Sequence, residues 1–323
     1  MKKLAATWVT TMCALAAALG PSPASGQSWP QRPVKVTTPF AAGGNTDSQA
    51  RIVSDRLSAV LGQPFVVENR VGGGGAIATE FVARAPADGY TLFFSSSSLL
   101  SLPLVQKVNY DPFKDFAPIS IVGIAPYVIG VHVSVPVATI KEFVDYVQPR
   151  SGQLNYASGG TGTGTHLTGA LLLARAGLRM QHIPYKGGAP AVADLVGGRV
   201  HMFFGNALDL IPHSKSGKIR MLAVSTEKRS PQLPDLPTIA ESYPGFRTYS
   251  WNGYLAPAAT PRPIIERIAQ EVAKIVREPA TAERLLNIGV EPLSNTPAEF
   301  AEFLRQDAPV WRDAVNAAGI KLD

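Results

Sequence analysis

The chain repeats one short pattern: an apolar stretch of strand length, a glycine-rich loop, and a segment with apolar residues at helical spacing. Val34–Phe40 predicts a buried strand, AAGGNTD a loop, and Ser48–Leu61 a helix whose apolar residues share one face. Phe65–Asn69 and Ala76–Arg84 repeat this order as a second strand and helix. Strands that alternate with helices predict an α/β fold, in which a mainly parallel sheet is flanked by helices.

The pattern restarts further along the chain, which indicates a second lobe. Ile119–Val133 is long, apolar and interrupted by Pro126, as expected where a strand leaves one lobe and enters another. Thr248–Leu255 predicts the return crossing, after which the helices Pro263–Arg277 and Pro297–Ala317 would pack on the first lobe. A chain of 323 residues also exceeds what one hydrophobic core usually serves. We therefore predict a first lobe at 27–125 plus 254–323 and a second lobe at 126–253.

The first 26 residues are typical of a secretory signal peptide. Two N-terminal lysines precede the apolar stretch Leu4–Leu19, and the small residues Ala24–Gly26 suit cleavage before Gln27. The apolar stretch is shorter than the roughly 20 residues that cross a bilayer, which disfavours a membrane anchor. The only cysteine, Cys13, lies in this segment, so the mature chain can form no disulfide. We expect the mature protein in the periplasm.

Two junctions between a strand, a glycine loop and a helix carry the most chemical information. At Phe40–Asp47 a parallel strand ends, Gly43 and Gly44 allow close approach of a ligand, and Thr46 followed by Gln49 fits a capping box. Unpaired N–H groups and the helix dipole make such a start an anion site. An ordinary turn explains this junction alone equally well.

The second junction favours the anion site. The strand LNYAS runs into GGTGTGT and a helix near His166, with hydroxyl groups on Ser158 and three threonines. If each junction lies at the carboxyl edge of its own sheet, the two face each other across a cleft, where open α/β sheets bind ligands. Opposed neutral donors suit a carboxylate. The serines after TLFF are a candidate third wall.

Asp47 is the exception, because a carboxylate beside an anion site would repel the ligand. Either its charge is taken up by backbone N–H groups or it contacts an amine of the ligand. We favour the first, structural role.

Several other function classes lack their signals. Loss of the two N-terminal lysines lowers the net charge from +6 to +4, and no basic run with interleaved aromatic residues indicates nucleic-acid binding. A loose dinucleotide motif at Gly73–Ala78 lacks an acid after the next strand, where Phe94 and Ser95 stand. The five histidines show no metal-binding spacing, and no nucleophile elbow is present. We expect no metal, no cofactor and no catalysis.

Long stretches of this sequence resemble one known family, the Bug-type extracytoplasmic receptors of tripartite tricarboxylate transporters. The stretches are RPVKVTTPFAAGGNTDSQAR, GQPFVVENRVGGGG, ADGYTLFF, HIPYKGGAPAVADLVGGRV, LPTIAESYPGF and WRDAVNAAGIK. The resemblance covers nearly the whole chain after the signal peptide. It implies a two-lobed periplasmic binding protein of type II, the Venus-flytrap form, that closes on a carboxylate and delivers it to a membrane permease.

In the family, the first strand–helix loop and the glycine-rich loop of the second lobe hold the ligand carboxylate. These roles fall here on Phe40–Asp47 and Ser158–His166. Ala170 stands where the family usually carries an acid, and Gly205 stands where an aspartate is common. Since loss of an acid weakens recognition of an amino group, we expect a ligand without an amine, either a di- or tricarboxylate or an aromatic acid.

The sequence therefore predicts a binding protein without turnover, which we expect to be a monomer. A ligand-sensing partner of a membrane sensor kinase and a periplasmic enzyme acting on a carboxylate are the alternatives. The candidate ligand-binding residues are Phe40, Ala41, Ala42, Gly43, Gly44, Thr46, Asp47, Ser95, Ser96, Ser158, Gly159, Thr161, Gly162, Thr163, Gly164, Thr165, His166, Tyr185, Gly205 and Asn206.

Overall fold

Two separate β-sheets form, one from each half of the repeated pattern. They are seen in a computed structural model that describes residues 29–321. The predicted signal peptide at 1–26 and the cleavage point before Gln27 lie outside this range. Across 29–321, the helices are too short or too polar for any of them to span a bilayer.

The first sheet has the strand order β11-β4-β10-β3-β1-β2, and the second has the order β7-β6-β8-β5-β9. The strands are β1 Val34–Thr38, β2 Phe65–Asn69, β3 Thr91–Ser96, β4 Phe116–Ala125, β5 Tyr127–His132, β6 Asn155–Ser158, β7 Gln181–Pro184, β8 Met202–Asn206, β9 Ile219–Val224, β10 Ser250–Pro257 and β11 Glu291–Pro292. The helices are α1 Asn45–Leu61, α2 Ala76–Ala83, α3 Ser98–Ser101, α4 Ile140–Val147, α5 Gly164–Arg175, α6 Gly188–Val196, α7 Ala207–Lys215, α8 Arg262–Arg277, α9 Pro279–Asn287 and α10 Pro297–Ala317.

Each sheet contains both parallel and antiparallel strand pairs. Strand β1 pairs in parallel with β2 and β3, and β6 pairs in parallel with β7 and β8. Strand β10 is antiparallel to β3 and β4, and β5 is antiparallel to β8 and β9. The predicted two-lobed α/β fold is confirmed, but both sheets are mixed rather than mainly parallel as expected.

Most predicted elements occur within a few residues of their expected bounds. The apolar stretch Ile119–Val133 divides at Pro126 into β4 and β5, which belong to different sheets. The exact lobe boundaries stay a prediction; β10 starts at Ser250, inside the range expected for the second lobe, and pairs with the first sheet. Three helices, α3, α7 and α9, were not predicted.

The two connections between the sheets are tied together by one buried serine. Ser225 donates its N–H to the carbonyl of Tyr127 at 2.8 Å and accepts the N–H of Tyr127 on its Oγ at 3.0 Å. Its Oγ also donates to the carbonyl of Thr248 at 2.8 Å, and its carbonyl accepts the N–H of Thr248 at 3.0 Å. Both crossings are thereby held side by side.

A buried carboxylate anchors the C-terminal helix to strand β10. Oδ2 of Asp307, on α10, accepts the indole N–H groups of Trp251 at 2.7 Å and of Trp311 at 2.9 Å. Both tryptophans are fully buried, and Asp307 is 1 % exposed. Helix α10 packs on β4 and also on α5, so this anchor lies where the two lobes meet.

We expect Asp307→Ala to lower the free energy of unfolding by about 2–4 kcal/mol, because it leaves two buried indole N–H groups without an acceptor. Asp307→Asn is the matched control: it keeps an oxygen for the indoles and removes a buried charge, so its loss is smaller. Urea titration followed by tryptophan fluorescence measures both. Equal midpoints for Asp307→Ala and the wild type would contradict this role.

Candidate ligand-binding site

One pocket between the two sheets is lined by the N-terminal ends of four helices, α1, α5, α6 and α7. Its walls also include the end of β3 and the starts of the crossing strands β5 and β10. The lining residues are Phe40, Gly44, Asn45, Thr46, Ser96, Tyr127, Gly159, Thr163, Gly164, Thr165, Gly187, Gly188, Asn206, Asp209 and Ser250. Since a helix N-terminus carries unpaired N–H groups and a partial positive charge, this arrangement favours a negatively charged ligand.

Helix α1 begins at Asn45, and its first N–H groups have no partner within the helix. The first intrahelical bond runs from the N–H of Ser48 to the carbonyl of Gly44. Gly44 is the N-cap residue, is extended (φ −80°, ψ 173°), and has no side chain to cap the helix. The predicted capping box from Thr46 to Gln49 is therefore wrong. Without a side-chain cap, the backbone N–H groups stay available to a ligand.

A buried amide network holds the start of α1 against β10. Nδ2 of Asn252 donates to the backbone carbonyl of Ser95 at 3.2 Å and to Oγ1 of Thr46 at 3.1 Å. Oδ1 of Asn252 accepts from the amides of Asn45 at 3.2 Å and Gln49 at 2.8 Å. Because a carbonyl can only accept, the bond to Ser95 fixes the orientation of Asn252 and hence of both amides.

In the second lobe, the threonine-rich loop is organised by its own hydroxyl groups. Oγ1 of Thr163 caps α5 by accepting the N–H of His166, and donates to the carbonyl of Gly160 at 2.7 Å. Oγ1 of Thr165 accepts the N–H of Gly159 at 2.8 Å. The N–H groups of Gly164 and Thr165, at the start of α5, have no acceptor within the helix, and both residues line the pocket.

The lobes are in contact around the pocket. The N–H of Ala41, in the first lobe, donates to the carbonyl of Lys186 in the second at 3.0 Å. Oγ of Ser101 donates to the carbonyl of Gly162. A Cβ atom on Gly74 would lie 2.2 Å from the carbonyl oxygen of Thr161, so a side chain at this position would prevent the approach. The structure is therefore a closed form of the cleft.

Among the described residues that line the pocket, none is a lysine, arginine or histidine. The titratable groups are Tyr127 and Asp209. Burial raises the pKa of Tyr127 to about 12, although bonds with Ser97 and Ser250 oppose the shift, so its hydroxyl stays a donor at neutral pH. Burial raises the pKa of Asp209 to about 6, opposed by the backbone and side chain of Asn206.

Nine of the predicted binding residues line this pocket: Phe40, Gly44, Thr46, Ser96, Gly159, Thr163, Gly164, Thr165 and Asn206. Six lining residues were not predicted: Asn45, Tyr127, Gly187, Gly188, Asp209 and Ser250. The YKGG motif could have indicated the two glycines, because it also follows a strand and precedes a helix. Tyr127 and Ser250 reach the pocket only through the crossings, for which no local motif exists.

The other predicted residues lie around the pocket without lining it. Their surroundings differ: Ala42 and Gly43 are exposed in the loop before α1, Ser95 is buried beneath it, and Gly205 packs on Phe203. Tyr185 donates its hydroxyl to Asp194 at 2.6 Å. The remaining members are Ala41, Asp47, Ser158, Thr161, Gly162 and His166. The binding role of the whole set stays a prediction.

The carboxylate of Asp47 is occupied by protein donors and does not line the pocket. It accepts the N–H of Gly43 at 3.0 Å, Nδ2 of Asn69 at 2.8 Å, and a bidentate contact from Arg51 at 3.0–3.1 Å. Burial opposes ionisation, but these bonds together hold the pKa of Asp47 below its ordinary value. The group therefore braces the loop before α1 as a fixed anion.

Beneath the threonine loop, His166 and His182 stack with their ring centroids 3.9 Å apart. Nδ1 of His166 accepts the N–H of Gly162 at 3.2 Å, and Nε2 of His182 bonds with Oγ of Ser158 at 2.6 Å. Burial lowers the pKa of His166 to about 4 and that of His182 to about 3, the latter aided by the neighbouring ring. Both rings are neutral supports of the loop at physiological pH.

Comparison with known proteins identifies the family. Residues 49–320 match the family model described as "Tripartite tricarboxylate transporter family receptor". The chain belongs to this family. The receptor is 34% identical over 305 residues to protein BugT of Bordetella pertussis, which covers 93% of this chain and 94% of BugT.

Solved structures agree with this assignment. The receptor is similar to Rpa4515 of R. palustris, solved with adipate, with a TM-score of 0.89 and 36% identity over 91% of this chain and 100% of that one. It is also similar to the periplasmic binding protein BugD, with a TM-score of 0.88 and 35% identity over the same shares of the two chains. The resemblance inferred from the sequence is thereby confirmed.

We expect the stability of the receptor to fall as the pH is lowered from about 6.5 towards 4. In that range the histidines of the unfolded chain bind protons, whereas the buried His166 and His182 stay neutral in the folded protein. Each of the two therefore lowers the free energy of unfolding by up to about 1.4 kcal/mol per pH unit. His182→Gln, which keeps a partner for Ser158, should flatten the slope of the unfolding free energy against pH. Asp209 titrates with the opposite sign but is present in both proteins. Identical slopes in urea titrations between pH 7 and 4 would contradict this expectation.

Proposed function

We propose that this receptor captures a small di- or tricarboxylate, or an aromatic acid, between its lobes and delivers it to a tripartite tricarboxylate-type membrane transporter. One observation carries the proposal: the starts of four helices converge on one pocket that no basic side chain among the described residues lines. Such a site neutralises an anion by neutral donors and helix dipoles alone.

The donor inventory is sufficient for a useful affinity. Backbone N–H groups at the starts of α1 and α5, with the hydroxyl groups of Ser96, Tyr127 and Ser250, surround the pocket. A hydrogen bond to a charged group contributes about 1.5–3 kcal/mol, and micromolar binding requires about 8 kcal/mol. A handful of these donors therefore meets the requirement after the costs of association.

The choice of ligand class is supported by the position of the donors on both lobes. Glycines 44 and 188 start helices in opposite lobes, and a Cβ atom on Gly44 would lie 3.9 Å from the N atom of Gly188. A ligand placed there contacts both lobes, which links binding to closure. The adipate in Rpa4515 is a dicarboxylate, which supports the same class for this receptor.

The proposal includes a periplasmic location and the absence of turnover. The N-terminal basic and apolar residues support export, and a structural relative is a periplasmic binding protein. The pocket supplies donors but no paired nucleophile and base among its described residues. Incubation of the purified protein with its bound carboxylate should return the carboxylate unchanged by mass spectrometry, and a new product would overturn this part.

We expect Gly44→Val to weaken carboxylate binding at least tenfold without unfolding the protein. The backbone of Gly44 is extended, so valine meets no conformational barrier, but its methyl groups would enter the space between α1 and α6. Native mass spectrometry of the wild type reveals a retained ligand, and calorimetric titration with a panel of di-, tri- and aromatic carboxylates measures affinity.

Ala138→Val is the matched control, because it also introduces a valine, at an exposed position outside the pocket. It should bind as the wild type does. If the wild type binds no carboxylate of the panel, the proposed function is wrong. If Gly44→Val binds as tightly as Ala138→Val, the pocket is not the site.

A further inference from the structure

The pocket contains one acidic side chain, Asp209, which the sequence did not single out. It is the third residue of α7, is 9 % exposed, and lines the pocket. Its carboxyl group lies against Gly188 at the start of α6: a Cβ atom on Gly188 would fall 2.7 Å from Oδ2. Because Gly188 has no side chain, the carboxylate of Asp209 fits beside it, in the pocket where we expect the ligand.

Asp209 differs from Asp47, the other buried acid near the pocket. Asp47 accepts bonds from an arginine, an asparagine and a backbone N–H. Asp209 accepts the N–H of Asn206 at 3.3 Å, which is part of a capping box at the start of α7, and the side chain of Asn206 also favours its ionised form. No basic residue lies beside it in the described pocket lining. A buried carboxylate that has only these neutral partners and no counter-charge is costly, so a further donor from a ligand would stabilise it.

At pH 7 Asp209 carries its charge for most of the time, because burial raises its pKa only to about 6. An ionised carboxylate accepts hydrogen bonds and donates none. It therefore repels a plain carboxylate placed against it and attracts a hydroxyl or ammonium group.

An acceptor in the first lobe also calls for a hydrogen-bond donor from the ligand. Asn45 is 4 % exposed and lines the pocket. Its Nδ2 is directed to Asn252, whose orientation the carbonyl of Ser95 fixes, and its Oδ1 has no partner in the described structure. The pocket thus combines N–H donors for a carboxylate with an unpartnered acceptor in the first lobe and the carboxylate of Asp209 in the second.

We propose that Asp209 makes the site selective for carboxylates that carry a hydrogen-bond donor, a hydroxyl or an ammonium group, beside the carboxylate. This rests on the proposed function and specifies its ligand class. It also revises the expectation of an amine-free ligand, which considered the missing acids at Ala170 and Gly205 but not the acid at Asp209. The carboxylate binds at the helix starts and its neighbouring donor binds Asp209.

The test uses sets of carboxylates that differ only in the donor. Succinate, malate and aspartate form one set; glutarate, 2-hydroxyglutarate and glutamate form a second; tricarballylate and citrate form a third. Calorimetric titration of the purified wild-type protein at pH 7.5 should show, in at least one set, a donor-bearing member binding at least tenfold more tightly than the plain member. The hydroxyl and ammonium members distinguish the two kinds of donor.

Asp209→Ala removes the acceptor and should reduce that preference at least tenfold, with the plain carboxylate binding as well as before or better. Asp209→Asn keeps an acceptor for the N–H of Asn206 and serves if the alanine variant does not fold; it should abolish the preference for ammonium and weaken that for hydroxyl. Asp145→Asn makes the same chemical change on an exposed residue outside the pocket and should leave every ratio unchanged.

The outcomes separate the two proposals. Binding of carboxylates without preference for a donor, or a preference that both Asp209 variants retain, overturns the role of Asp209 and leaves the carboxylate receptor intact. No binding of any member by the wild-type protein overturns the role of Asp209, and it overturns the proposed function as well if no aromatic carboxylate binds either.

Discussion

Unpaired N–H groups at helix starts impose the constraint on which this structure depends. They lose hydrogen bonds to water when they are enclosed, and the loss is large unless an acceptor replaces the water. In this receptor four such starts meet between two lobes that touch around them. The closed form therefore favours an enclosed acceptor, and an anion fulfils this role better than a neutral group because the helix dipoles add to the hydrogen bonds.

The rest of the fold positions these helix starts. Parallel strands place successive helix starts at one edge of each sheet, and the crossing strands β5 and β10 join the two edges. The amide network around Asn252 fixes α1 in the first lobe, and the threonine hydroxyls fix α5 in the second. Asp47 holds the loop before α1, and the neutral pair of His166 and His182 supports the threonine-rich loop before α5. Most buried polar side chains near the pocket thus shape the backbone and leave its N–H groups free.

The alternation of strands, glycine loops and helices was enough to predict the fold class and both principal junctions, because those signals are local. The capping box predicted at Thr46 does not form. The hydroxyl group of Thr46 accepts a hydrogen bond from Asn252 instead, and Gly44 is the N-cap residue of the helix. Helix α7 was missed because Pro212 lies in its middle, which ordinarily argues against a helix. With α7 missing, Asp209 could not be placed at a helix start. The positions of Tyr127 and Ser250 in the pocket could not be predicted, because only the tertiary structure shows where the two crossing segments pass.

The serine that ties the two crossings has a consequence for how a ligand leaves. Ser225 bonds to Tyr127 and Thr248 on both connecting segments, so the segments cannot move independently at that point. The lobes are then restricted to turning about a common axis, and the donors of one lobe withdraw from the guest together. Opening of the cleft then removes all the contacts of one lobe with the ligand in one movement.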